Sequence, residues 1–436
     1  MKNKGLVIFT LLAVIVLGYF SYRLGNRSDL NISFGGSKVK YPTTPVTLTY
    51  WRTLDSPDTL APIIDDFKKL HPNVEVKLTV VPYGEYSSKL AAAAAAGQLP
   101  DLFTVHNDQV GAYKQYATPA PETVFTPKDY EKTFAPQAVR DLTSSGVPFA
   151  LTYGISTLGL FYNEALLKSA KIDPPKSWQD VLTASSKLTK KSGSTITQSG
   201  IALGTANINR ATDIESVLMM QNGTLMTDTP PTKATFDQPD SSGYYGGVKA
   251  AQFYASFAMP SKSDYSWSDS LGESVEAFAK EKTAMIINYP FRAAGVAAAN
   301  PKLEFKTAPL PQVDSKKPTN LGEYWAEMVS QTSGHSEIAW DFLRFASSRD
   351  ELNKFSITSQ RPASRLDLAK AQGGDDLLGP FARQVPTSTN WYRGSYQNVD
   401  AIFYDMNAAI LGGYDATATV QSAARRVSQE ITRSQK

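Results

Sequence analysis

Between Val46 and Val105 the spacing of apolar residues switches back and forth between a period of two and the longer period of a helix. This alternation narrows the fold more than any other feature of the chain. Val46, Leu48 and Tyr50 alternate with polar neighbours, which predicts a strand. Ser56 offers an N-cap with Pro57 at the first helical position, and Leu60, Ile63, Ile64, Phe67 and Leu70 then recur at helical spacing until His71-Pro72. Val74, Val76, Leu78 and Val80 predict a second strand. The run GEYSSKLAAAAAAG is a strong helix former closed by Gly97, its alanines reading as the small-residue face of a tightly packed helix, and PDLFTV follows as a third strand. Strand, helix, strand, helix, strand with short links predicts an α/β fold in which helices cover a mostly parallel sheet.

The mixed pattern continues over a chain of 436 residues, too long for one domain at about 100–200 residues each, so two lobes are expected. Ser177-Trp178-Gln179-Asp180 has the spacing of a capping box and predicts a helix running towards Lys190. TAMIIN at 283–288 reads as a strand. Ile338, Phe342 and Phe345 mark one face of a helix from Glu337 to about Ser348, and Val420, Ala424 and Val427 mark a last helix. There is no internal repeat.

The N-terminus has a different character. Gly5 to Tyr22 are 18 uncharged, mostly apolar residues preceded by Lys2 and Lys4. That length reaches the lower edge of a spanning helix, about 17–25 residues, and exceeds the ~7–15 of a signal-peptide core. No A-x-A-like site follows, so residues 1–22 are expected to be an uncleaved transmembrane anchor with its N-terminus inside; a cleaved signal segment is the alternative. Arg23 and Arg27 on the far side run against the usual charge asymmetry. Residues 23–45, rich in Gly, Ser, Asn and Pro, read as a flexible tether.

Several chemistries find no support. The 44 basic and 41 acidic residues give a net charge of +3 with no basic stripe, so no nucleic-acid partner is expected. There is no cysteine, which removes disulfides, thiolate metal sites and a lipid-modified N-terminal Cys. The three histidines, His71, His106 and His335, have no ligand spacing, and the phosphate-loop, dinucleotide and nucleophile-elbow motifs are missing, so no metal or cofactor is expected. Paired carboxylates for glycoside hydrolysis are drawn from distant positions and leave no mark in a sequence. The balance favours binding over catalysis.

Four segments, in order, resemble the bacterial extracellular solute-binding proteins of the maltose-binding type, the substrate-binding proteins of ABC importers. They are FKKLHPNVEVKLTVV with YSSKLAAAAAAGQLPDLF; GLFYNEALLKSAKIDPPKSWQDVLTASSKLTKK; EAFAKEKTAMIINYPF; and APLPQ with GEYWAEMVSQTSGHSEIAWDFLRFASS and, further on, RPASR. The similarity covers about residues 46 to 436. One departure is that the family's GGxW reads Gly322-Glu323-Tyr324-Trp325 here, with Glu in place of the second Gly. The missing lipid-anchoring Cys is another, and it favours the helix anchor.

The resemblance implies a two-lobed clamp, each lobe a mostly parallel sheet flanked by helices, with a ligand in the cleft between. Crossovers near Pro148-Phe149 and Pro309–Pro318 divide the chain into lobe one, 46–150 plus 316–350, and lobe two, 151–315 plus 351–436. Ligands of open α/β sheets sit beyond the carboxyl ends of strands. After the first strand come Trp51, Arg52 and Asp55, which could equally form a solvated turn with a packed Trp. After the third come Asn107 and Asp108, in a loop that in this family supplies hydrogen bonds to sugar hydroxyls, for which Asn and Asp offer acceptors; Asp108 also suits a helix cap. After TAMIIN come Tyr289, Phe291 and Arg292, where the family carries an aromatic that stacks on a sugar ring and where core packing is the alternative. Trp325, Trp267 and Trp391 complete the candidates, whereas Trp178, next to its cap, is assigned to packing.

The expected function is capture of a small polar ligand, a carbohydrate above all, by a monomeric, membrane-anchored extracytoplasmic protein that delivers it to ABC permease subunits. Two rivals share the architecture: a membrane-tethered carbohydrate-active enzyme, and a ligand sensor subunit.

Overall fold

The computed structural model describes residues 39–434. The expected anchor at 1–22 and most of the tether lie outside the described residues. The end of the tether is not loose, because the Tyr41 ring stacks on His71 at 3.8 Å and its hydroxyl donates to Asp341.

Strand β1 (Val46–Arg52) leads through a 3-10 turn at Pro57–Thr59 to α1 (Ala61–Leu70). Ser56 caps that turn, so the regular helix starts four residues later than the cap suggests. Then follow β2 (Val74–Val80), α2 (Tyr83–Ala95) and β3 (Leu102–His106). Gly97 has φ +66°, the left-handed conformation that ends α2. Of the alanines in α2, only Ala94 is buried, so the run acts through helix propensity on an open face and not as a packed seam.

The chain then crosses through β4 (Leu151–Thr152) and β5 (Ser156–Thr157) into β6 (Gly159–Asn163). Next come α3 (Trp178–Leu188), α4 (Ala211–Gln221), α5 (Gly246–Ser256), β7 (Met285–Asn288) and β8 (Phe305–Pro309). At α3 both capping-box bonds form: Asp180 N–H donates to Ser177 Oγ at 3.1 Å and Ser177 N–H to Asp180 Oδ2 at 2.9 Å. The return runs through β9 (Asn320–Glu323) and β10 (Trp325–Val329) to α6 (Ser336–Ala346) and α7 (Arg349–Ser359). A short β11 (Ser388–Thr389), then α8 (Tyr396–Leu411) and α9 (Ala416–Ser434), complete the described chain.

The large sheet has the order β2-β1-β3-β10-β4. Its β2-β1-β3 part is parallel as expected, but β10 joins β3 and β4 antiparallel. The small sheet, β7-β6-β8, departs further: β6 is antiparallel to both neighbours. The reason is direction of travel. Here β6 leaves the crossing region, whereas β7 and β8 run back towards it. A mostly parallel sheet in each lobe is therefore corrected to one mixed sheet and one antiparallel sheet.

A third sheet, β11-β9-β5, lies between them. The crossing region is tightly packed: a Cβ on Gly322 of β9 would lie 2.1 Å from Gln137 Oε1, and one on Gly154, ahead of β5, 2.8 Å from the Pro362 carbonyl. Around the small sheet, α4, α5, α8 and α9 enclose one core containing Phe161, Ile214, Tyr254, Phe403 and Val427. Helix α7 packs on α1, and its Phe355 ring lies 5.2 Å from Tyr153.

Candidate ligand-binding site

A cavity of about 860 Å³ opens between the two sheets, where the carboxyl ends of β1, β3 and β7 converge. Its walls carry charge that is almost entirely paired. At the end of β1, Arg52 meets Asp55 at 2.8 Å and Glu327 at 3.1 Å, and Asp55 is shared with Arg361 at 2.6 Å. Tyr50, buried below, donates to Glu327 at 2.6 Å. Burial raises the Glu327 carboxyl above its ordinary range, offset in part by Arg52 and Tyr50.

The opposite wall is a chain of polar contacts through Glu323. Its carboxylate lies 3.5 Å from His106 Nε2 and 3.6 Å from Arg210 Nη1. His106 Nδ1 is 2.6 Å from Asp108 Oδ1, and the other Asp108 oxygen accepts the Tyr396 N–H at 3.0 Å. Asp108 is thus a helix cap, but of α8, across the cavity, where a carboxylate also meets the positive end of the helix dipole. Asp213 binds Arg393 at 2.8 Å and accepts from Tyr396 Oη at 3.1 Å. Burial would lower the His106 imidazolium, but Asp108 and then Glu323 outweigh it and hold the group up at about 10. Burial would likewise raise Glu323, but Arg210 and then His106 hold it down to about 2.

Several aromatic rings line this cavity, and two of them, Phe291 and Trp325, are among the expected residues. Phe291 is half-buried, with Tyr289 stacked behind it at 5.5 Å. Trp325 is half-buried, with its neighbours Tyr83 and His106 at 6.4 and 5.2 Å.

Of the expected residues, Arg52, Asp55, Asp108, Phe291, Arg292 and Trp325 line the cavity. Tyr289 is buried and donates to Asp213 at 3.2 Å, so it supports Phe291 from behind. Trp51 lies off the cavity with the Lys89 ammonium 4.6 Å from its ring centre. Asn107 and Trp391 line a separate side cavity of about 560 Å³. Trp267 does not line the cavity: it is buried in the small-sheet core, its Nε1–H donating to Thr205 Oγ1 at 3.2 Å. The cavity is also lined by His106, from the same loop as Asp108, and by Arg210, Glu323, Arg361 and Tyr396, which the candidate residues did not include. Glu323 carried a signal in the departure from GGxW, and Arg361 opens the RPASR segment. Arg210 sits at φ +67° before α4 and nothing in its sequence surroundings marks it.

A pH dependence follows. The folded-state value of His106 is raised above its ordinary 6.5, so the stability it contributes is fully present below about 6.5 and is lost as pH rises through about 10. Glu323 is depressed below 4.5, so its contribution is present above that value and is lost as pH falls towards 2. Denaturant unfolding of the parent and of His106→Gln at fixed ionic strength should show the parent's advantage shrinking between about pH 6.5 and 10. A constant difference across that window would contradict the assignment.

The chain matches the family described as bacterial extracellular solute-binding protein over residues 53–351. It is 22% identical over 305 residues to the maltotriose-binding protein of Pyrococcus abyssi, a match covering 67% of this chain and 60%, under two thirds, of that protein. It is 24% identical over 387 residues to a maltodextrin-binding protein of Bacillus subtilis, covering 86% of each. Among solved structures, the cyclic α-maltosyl-1,6-maltose binding protein of Arthrobacter globiformis superposes with a TM-score of 0.74 at 20% identity, over 89% of this chain and 100% of that one. The shared fold is a two-lobed α/β clamp with the cavity between its lobes. The chain belongs to the family of bacterial extracellular solute-binding proteins.

Proposed function

We propose that this protein captures a sugar in the cavity between its lobes and delivers it, unaltered, to the permease subunits of an ABC importer. The observation that carries this reading is one cavity of about 860 Å³ that combines two half-buried aromatic faces with forked polar groups. Its volume lies in the ~300–1,000 Å³ range of small-molecule sites. A pyranose has apolar faces and hydroxyl edges. Phe291 and Trp325 suit the faces, and guanidinium and carboxylate groups suit the edges. Relatives named for maltotriose and maltodextrins support the same ligand class.

Capture is favoured over turnover by how the carboxylates are held. Asp55 is locked between two arginines, and Glu323 is kept ionised. Glu327 is the one with a raised value, yet Tyr50 and Arg52 occupy its two oxygens, which leaves it poorly placed to deliver a proton. The crossing segments at 153–157, 320–324 and 361–364 would serve as the hinge. The contact of Asp108 with Tyr396 spans the cleft, and a ligand touching both lobes would favour the closed form. Lobe one would then comprise 46–150 with 316–360, and lobe two the remainder.

Residues 5–22 would anchor the monomer with its clamp outside the cytoplasm. Among the described residues no helix is long and apolar enough to cross a membrane. A chain starting at Ser37, which keeps the docked Tyr41, should therefore leave the membrane fraction. If it stays there, the anchor lies elsewhere.

The binding energy should sit on the two cavity rings. Phe291→Ala and Trp325→Ala are each expected to cost ~2 kcal/mol, roughly thirtyfold in affinity, in calorimetric titrations with oligosaccharides. Trp178→Phe is the control. Its Nε1–H donates to Gln221 Oε1 at 2.7 Å far from the cavity, so it should lose ~1–3 kcal/mol of stability and leave affinity intact. Parental affinity in folded Phe291→Ala and Trp325→Ala would rule out this site.

A further inference from the structure

Within the cavity, charge is matched group by group with one exception. Arg52 is committed to Asp55 and Glu327, Arg361 to Asp55, and Arg210 faces Glu323 and Asp213. Arg292 lines the same cavity and, among the described residues, has no carboxylate within ion-pair distance. Its Nε is shut off from solvent with no acceptor. Its guanidinium carbon lies 6.0 Å from the centre of the Phe291 ring. The Arg292 guanidinium therefore lines the cavity without a carboxylate partner, and a ligand acceptor would supply one.

We infer that the sugar taken by this cavity carries a carboxylate, and that Arg292 is the residue that selects it. The inference rests on the reading of the cavity as a sugar site. A ring stacked on Phe291 presents its exocyclic carbon beyond the ring edge. In a uronate that carbon is a planar carboxylate, which pairs with a guanidinium through two parallel hydrogen bonds. The balance of charge favours the same group. Four guanidinium groups and four carboxylates line the cavity, and the His106 imidazolium adds one positive charge. One surplus charge fits a monovalent carboxylate better than a phosphate near −2.

The test is calorimetric titration of the full-length chain in mild detergent. Glucuronate, galacturonate and their disaccharides are compared with the matching neutral sugars and with glucose 6-phosphate. The acidic sugars should bind at least about tenfold tighter than their neutral counterparts, the scale of a charge-assisted pair. Arg292→Gln should bring that ratio to about one, and Arg292→Lys should keep part of it, with thermal melts confirming that both variants fold. Neutral sugars binding as tightly as acidic ones, or a ratio unchanged in Arg292→Gln, overturns this inference and leaves the sugar reading standing. Glucose 6-phosphate binding tighter than every uronate overturns the choice of carboxylate. Failure of every sugar to bind overturns this inference and the sugar reading together.

Discussion

A carboxylate taken out of water has to be paired, and the cleft of this protein is arranged around one such group. Glu323 ends a crossing strand and is held by His106 from the large-sheet lobe and Arg210 from the small-sheet lobe, at 3.5 and 3.6 Å. Those two partners draw in Asp108, Tyr396 and Asp213, so one half-buried charge organises a wall built from both lobes. Buried ion pairs add little net stability, because desolvation offsets their attraction, but breaking one strands the other charge. Such a network therefore acts mainly on geometry. It links residues on the two sides of the cleft.

The same logic separates framework from contact surface. On the other wall, Arg52, Asp55, Arg361 and Glu327 satisfy one another, with Tyr50 beneath. Groups so engaged offer a ligand few unsatisfied bonds. Among the groups left for it are the exposed parts of Phe291 and Trp325, the Tyr83 ring and the guanidinium of Arg292. The site resembles a rigid charged frame around two aromatic faces, and a frame of this kind limits the rotamer freedom lost when a ligand binds.

The parts of the fold legible in sequence were those set by local periodicity. The opening strand–helix alternation, the capping box at Ser177 and the strand at Met285–Asn288 all follow from spacing and cap chemistry. The antiparallel partners were not legible, because β10 and β6 pair with strands far away in sequence and no local pattern encodes direction. The alanine run misled because alanine marks a good helix former whether or not it is packed. In the site, strand ends located Arg52, Asp108, Phe291 and Trp325. Trp267 lies in the small-sheet core and Trp391 at its edge beside the side cavity, because a tryptophan serves a core as readily as a cleft and the choice depends on which face it turns. Arg210 reaches the site only through a left-handed turn and a long-range approach.

The central claim is that the interlobe cavity is a sugar site whose frame is already in place. A crystal structure of the protein grown with an oligosaccharide shown to bind in solution tests it most directly. The account predicts an intact sugar between the lobes, with a ring against Phe291 or Trp325 and the Glu323 contacts to His106 and Arg210 retained. A sugar bound elsewhere on the molecule, or one cleaved within the cleft, would contradict it.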